Sequence, residues 1–146
     1  MTAQILQVIR EEGRLMRQAL DIQTEEKSGP GDIVTNYDRR VQANLEQKLQ
    51  EILPGAGFLG EEGLETLPDE GCGIFIIDPI DGTMNFSRHY QRSSISVALV
   101  QEGRVVFGAI YDPYLDEMFH AKHGEGAFLN GRPIHVSDRP LEQSLV

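Results

Sequence analysis

The chain has 146 residues and a formal net charge of −10; 40% of its residues are hydrophobic and 25% charged. That is enough for one packed domain, and the acidic balance excludes a basic surface for nucleic acid or an anionic membrane. Its one cysteine, Cys72, excludes an internal disulfide, and no leader-like opening or long uncharged apolar run occurs, which together predict a cytosolic protein.

Helical periodicity opens the chain. Ile5, Val8, Ile9, Leu15, Met16, Ala19 and Ile22 fall on one stripe, with Arg10, Glu11, Arg14 and Arg17 largely off it. The segment TEEKSGPGDIVT then reads as a loop, broken by Ser28-Gly29-Pro30-Gly31. A second helix is predicted from Thr35, a good N-cap with Asp38 as its capping-box partner. Its stripe is Val41, Leu45, Leu49 and Ile52, and Pro54-Gly55 ends it.

After FLGEEG the texture becomes strand-like. Ile74 to Ile77 is short and continuously apolar, as a strand buried on both faces would be. Ile95, Val97 and Leu99 alternate with Ser94, Ser96 and Ala98; Gln101 to Arg104 turns the chain into Val105–Tyr111, and Glu117–Ala121 follows Asp112-Pro113 and Asp116. Asn130-Gly131 is a hairpin signal between Gly126–Leu129 and Pro133–Val136. The pattern predicts an α+β domain, two N-terminal helices packed on one face of an antiparallel meander sheet.

The stretch DPIDGTMNF, Asp78 to Phe86, carries the chemistry. Asp78 ends an apolar strand, and Pro79 cannot continue a ladder. A turn through Ile80 can swing Asp81 back beside Asp78 and aim the Ile80 carbonyl at the same point. Two carboxylates that close repel unless a proton or cation lies between them. All-oxygen ligands suit Mg²⁺ or Mn²⁺ and not zinc. Gly82-Thr83 opens a turn whose N–H groups can hold a phosphate. An Asp-Pro turn followed by a helix-capping aspartate is the commoner origin of a D-P-x-D spacing. His120-x-x-His123, placed in a strand, points to opposite faces and does not make a zinc site. Gly124-x-Gly126 is too short for dinucleotide binding, and Cys72 lacks a catalytic partner.

The longer string resembles the signature of the inositol monophosphatase family, magnesium-dependent and lithium-sensitive phosphatases. GDIVTNYD (Gly31 to Asp38), preceded by Lys27, resembles that family's G-D-x-V-T-x-x-D block, and FLGEEG (Phe58 to Gly63) its acidic loop. GAIYDPYLDEMFHAKHGEGAFLNGRPIHVS resembles its middle strands. The resemblance implies the first half of an αβαβα sandwich of the inositol monophosphatase and fructose-bisphosphatase kind. It implies Glu61, Asp78, Asp81 and the carbonyl of Ile80 as Mg²⁺ ligands. Glu61 and Thr83 would orient the attacking water, Asp38 would hydrogen-bond Thr83, and the N–H groups of Gly82 and Thr83 would bind phosphate. Taken singly, Asp38 is explained as a helix cap, Glu61-Glu62 as a solvated loop and Lys27 as plain surface.

The implied activity is hydrolysis of a sugar-alcohol phosphate monoester, inositol 1-phosphate first, with histidinol phosphate and fructose 1,6-bisphosphate as neighbours. Met84-Asn85-Phe86 argues against a 3′-phosphoadenosine phosphate enzyme, whose relatives commonly read K-E-F there. Members of the family continue into a second domain with a W-D-x-x-A-G block that adds a metal-binding aspartate. Residues 1–146 are therefore expected to form the N-terminal metal- and phosphate-binding domain. Homodimerisation, or association with a complementary C-terminal half, is the expected partnership. The contrasting expectation is a catalytically impaired remnant that acts through dimerisation or protein interaction.

Overall fold

The computed structural model describes residues 1–29, 31–62 and 65–143. In chain order these form α1 (Thr2–Arg17), β1 (Thr24–Gly29), β2 (Asp32–Thr35), α2 (Asn36–Ile52), β3 (Gly57–Gly60) and β4 (Ile74–Asp81). Then follow α3 (Thr83–Ser87), β5 (Ser94–Gln101), β6 (Arg104–Asp112), β7 (Glu117–Lys122), β8 (Gly126–Leu129) and β9 (Arg132–Ile134). Strands β3 to β9 make one seven-stranded sheet in sequential order. All its neighbours are antiparallel except β3 and β4, which run parallel.

The apolar stripe of α1 buries Ile5, Val8, Ile9 and Met16, and that of α2 buries Val41, Leu45 and Leu49. The two helices pack on each other and on one face of the sheet, α2 against β4 and α1 against β5 and β6. Glu12 faces into this interface, where Lys48 Nζ and Asn44 Nδ2 each donate to it at 2.8 Å. A buried carboxylate is tolerated there because both its oxygens are partnered. Helix α2 starts as the sequence predicts. Thr35 Oγ1 accepts from the N–H groups of Tyr37 and Asp38, and the Asp38 carboxylate accepts from Thr35 N at 2.8 Å. The predicted hairpin at Asn130-Gly131 is present, with a shorter second strand, Arg132–Ile134.

Four expectations need correction. α1 stops at Arg17, so Ala19 and Ile22 pack on the core from the segment beyond the helix. Thr24–Gly29 and Asp32–Thr35 are not loop but the antiparallel strands β1 and β2, a separate two-stranded sheet, and Pro30 lies outside the described residues. Its first strand is exposed along nearly all its length, so it carries no apolar alternation to announce it. The meander is preceded by β3, which pairs parallel with β4. Finally, β4 is not buried on both faces. Phe75 and Ile77 lie under the helices, but Ile76 is 41% exposed.

Among the described residues, the sheet face opposite the helices therefore stays open. Across it runs a row of mostly small residues in register, Ile76, Ala98, Gly108, Ala121 and Ala127. Exposed Leu59, Ile110 and Phe119 flank that row. A hollow of about 310 Å³ on this face is lined by Ser96, Ala98, Gly108, Ile110 and Phe119 among others, with no carboxylate in its wall.

Candidate active site

β4 delivers the acidic stretch. Its ladder with β5 pairs Asp78 with Ser96 and Asp81 with Ser94, and the register shifts between them. Pro79 accounts for the shift, because a residue without an N–H cannot hold a regular antiparallel pair. Ile80, buried beneath the bulge, anchors it. Asp78 and Asp81 thereby come near one another at the strand end, while the chain turns through Gly82 into α3.

Gly82 adopts φ +92°, and a Cβ placed on it would lie 2.9 Å from the carbonyl oxygen of Arg92. Only glycine fits both demands. Gly82→Ala is expected to cost about 1–2 kcal/mol of stability, measured as a shift in the urea midpoint. A variant as stable as the parent would show that the turn tolerates a side chain.

α2 approaches this turn from the other side. Thr83 Oγ1 lies 2.9 Å from the Ile80 carbonyl and 3.2 Å from Asp38 Oδ1. Asp38, fully buried, thus joins the cap of α2 to the turn after β4. Burial pushes its carboxyl above the ordinary value, against hydrogen bonds from Thr35 and Thr83 that pull it down. The Thr83 hydroxyl thus bridges α2 and the turn after β4.

Glu61 follows the last residue of β3, and its N–H donates to the Ile77 carbonyl at 3.1 Å. Its carboxylate stands between two groups. Lys27 Nζ, from the β1–β2 hairpin, is 3.1 Å away, and Asp78 lies close enough for the Glu61 charge to raise its carboxyl. Asp78 is pushed up to about 7, first by burial, then by Glu61 and then by Asp81. Among the described residues, no three acidic, histidine or cysteine side chains close into a finished cation cage. Glu61, Asp78 and Asp81 form instead an open acidic group beside a cleft of about 340 Å³, lined by Leu59, Gly60, Glu61, Ile76, Asp78 and Ser96 among others.

Does this group suit a divalent cation? Three carboxylates and a backbone carbonyl are the hard oxygen donors that Mg²⁺ takes. Asp78 Oδ1 is buried without a hydrogen-bond partner, a cost that a cation would remove. The donor set fits.

Two residues that the sequence did not mark for function also sit here. Glu62, expected to be solvated, has a side chain only 6% exposed and is ion-paired to Lys27. Burial pulls the Lys27 ammonium down, but hydrogen bonds to Glu62 and Glu61 outweigh it and hold its pKa above the usual lysine value. Gln42 on α2 accepts from the Glu62 N–H. Neither carries a local signal, since their partners lie far off in sequence. The two histidines stay apart in role, with His120 stacked on Phe128 at 5.1 Å and the His123 N–H bonded to the Val106 carbonyl.

The sequence matches the family described as the inositol monophosphatase family over residues 1–146. It is 38% identical over 144 residues to an inositol-1-monophosphatase of Bacillus subtilis, covering 94% of this chain and 52% of that protein. The fold superposes on extragenic suppressor protein suhB from Bartonella henselae with a TM-score of 0.89 and 36% identity, over 94% of this chain and 54% of that one. An IMPase/NADP phosphatase solved with Mg²⁺ and phosphate gives a TM-score of 0.75 at 31% identity, over 85% of this chain and 48% of that one. The chain thus spans about half the length of these relatives.

Proposed function

Because the chain belongs to the inositol monophosphatase family, we propose that it is the metal- and phosphate-binding part of a Mg²⁺-dependent phosphatase. The substrate would be a phosphate monoester of a sugar alcohol, inositol 1-phosphate first. The observation that carries this reading is the meeting of the Asp38–Thr83–Ile80 bridge with the Glu61–Asp78–Asp81 group at one strand end.

Glu61, Asp78, Asp81 and the Ile80 carbonyl would hold Mg²⁺. Bound there, the ion would lower the pKa of a water and offset charge on the transferring phosphoryl group. The protein's own groups do the rest. Asp38 fixes the Thr83 hydroxyl, so Thr83 and Glu61 present acceptors that orient the attacking water. The N–H groups of Gly82 and Thr83 open the first turn of α3, where no helical carbonyl precedes them, and they hold phosphate oxygens. No residue has to form a covalent phosphoenzyme.

The test is phosphate release from inositol 1-phosphate. Release that requires Mg²⁺ and falls at least about a hundredfold in Asp78→Asn and in Glu61→Gln is expected. Full activity surviving both substitutions would sink the assignment.

The open sheet face favours a second reading, a remnant that works by association. Leu59, Ile76, Ile110 and Phe119 are exposed together on it, and such a patch commonly marks an interface. Its occupant would be a second copy or a complementary C-terminal half. Sedimentation equilibrium with Mg²⁺ calorimetry separates the readings: tight self-association with no Mg²⁺ or phosphate binding favours the remnant.

A further inference from the structure

Gln42 lies one helical turn beyond Asp38 on α2, and only 6% of it is exposed. A glutamine buried on an apolar helix face needs its amide satisfied at both ends. Its Nε2 donates to Glu46 Oε1 at 2.9 Å, and its Oε1 accepts from the Glu62 N–H at 2.9 Å. The first bond fixes which way the amide points, and the second uses that orientation.

The contact matters because β3 ends at Gly60. The Glu61 N–H still reaches β4, on the Ile77 carbonyl, but the Glu62 N–H finds its partner on the helix. The chain that carries Glu61 is therefore held at two successive amides, one by the sheet and one by α2. Gly60 permits this approach: a Cβ there would stand 2.2 Å from Gln42 Nε2 and 2.5 Å from its Oε1. The turn, the missing side chain and the buried amide form one fitted contact.

We propose that Gln42 is a positioning residue for the Glu61–Glu62 turn, setting the direction from which the Glu61 carboxylate meets Asp78. This rests on the reading of Glu61 as a cation ligand and extends it to the group that aims Glu61. The same helix then mounts both sides of the site: Asp38 holds Thr83, and Gln42 holds the acidic turn. Gln42 also keeps Glu62 in place, so that Lys27 has a fixed anchor besides Glu61. The amide touches neither substrate nor cation and works through backbone geometry.

The test uses the whole chain with Mn²⁺ alone as the probe. Gln42→Met keeps the length and bulk of the side chain but removes the acceptor and adds no charge. Mn²⁺ affinity by calorimetry should fall about tenfold in Gln42→Met. Hydrogen exchange in metal-free protein supplies a second readout. The Glu62 amide should exchange at least about tenfold faster in Gln42→Met, while the Glu61 amide, bonded to Ile77, keeps its protection. Parental Mn²⁺ affinity in Gln42→Met, or an unchanged Glu62 exchange rate, overturns the proposal alone. A parent chain that binds no Mn²⁺ overturns the cation reading of Glu61, and the proposal falls with it.

Discussion

Asp78→Asn is expected to make the metal-free chain more stable at pH 8 while erasing its stabilisation by Mg²⁺. The sign follows from linkage. The folded-state Asp78 carboxyl titrates at about 7, well above its ordinary value of 3.8. Between those limits the folded chain holds a proton that the unfolded chain has released, so stability falls as pH rises from about 4 through about 7. Above that window the full cost of an ionised Asp78 is borne beside Glu61 and Asp81. Asparagine has no charge to pay for. Discounted for the solvent that reaches this half-buried carboxyl, the gain at pH 8 is about 1–2 kcal/mol, a few degrees in melting temperature.

With Mg²⁺ present the order is expected to reverse, because on the proposed reading the parent would gain a bound ion and the variant would not. Since binding must displace the proton on Asp78, Mg²⁺ affinity of the parent should weaken as pH drops below about 7. Thermal scans with EDTA and with Mg²⁺, at about pH 4 and pH 8, check each part. An asparagine variant that is less stable at pH 8 in EDTA, or that still responds to Mg²⁺, contradicts the expectation.

The second large effect concerns the strand that presents Asp78. Phe75 is 0% exposed, lies opposite Phe58 on β3 and Leu99 on β5, and stacks on Phe58 with ring centroids 5.7 Å apart. Phe75→Ala removes a ring from the middle of three strands and leaves a cavity under α2, a loss of about 3–5 kcal/mol. Against a typical total of about 5–15 kcal/mol, this leaves the chain partly unfolded near physiological temperature. Ile76→Ala, one residue on and facing the open side, should cost less than about 1 kcal/mol. Urea midpoints of the two variants compare the faces directly, and similar losses would contradict the one-sided burial of β4.

Much of this architecture can be read from local pattern. The stripe of α2, the Thr35–Asp38 cap and the Asn130-Gly131 turn are each decided within a few residues, so periodicity and turn chemistry suffice. The β1–β2 hairpin is not legible, because Glu25, Glu26 and Lys27 sit on an exposed strand without apolar alternation. The run Ile74 to Ile77 misleads in the opposite way: apolar side chains on both faces do not say that both are covered. In the site, DPIDGT announces itself through proline, glycine and paired acids. Glu62 and Gln42 do not, since the hydrogen bond that joins them spans 20 residues of sequence.

The open sheet face runs directly into the acidic cleft, for Leu59 and Ile76 share that cleft with Glu61 and Asp78. Any body that settles on those apolar side chains also lowers the local dielectric around the carboxylates. Each Coulomb interaction there strengthens as water leaves, the repulsion among the acids as much as their attraction for a cation. On the proposed reading, occlusion and ion binding would be thermodynamically coupled: a bound cation would neutralise the rim and favour the cover, and the cover would tighten hold on the cation.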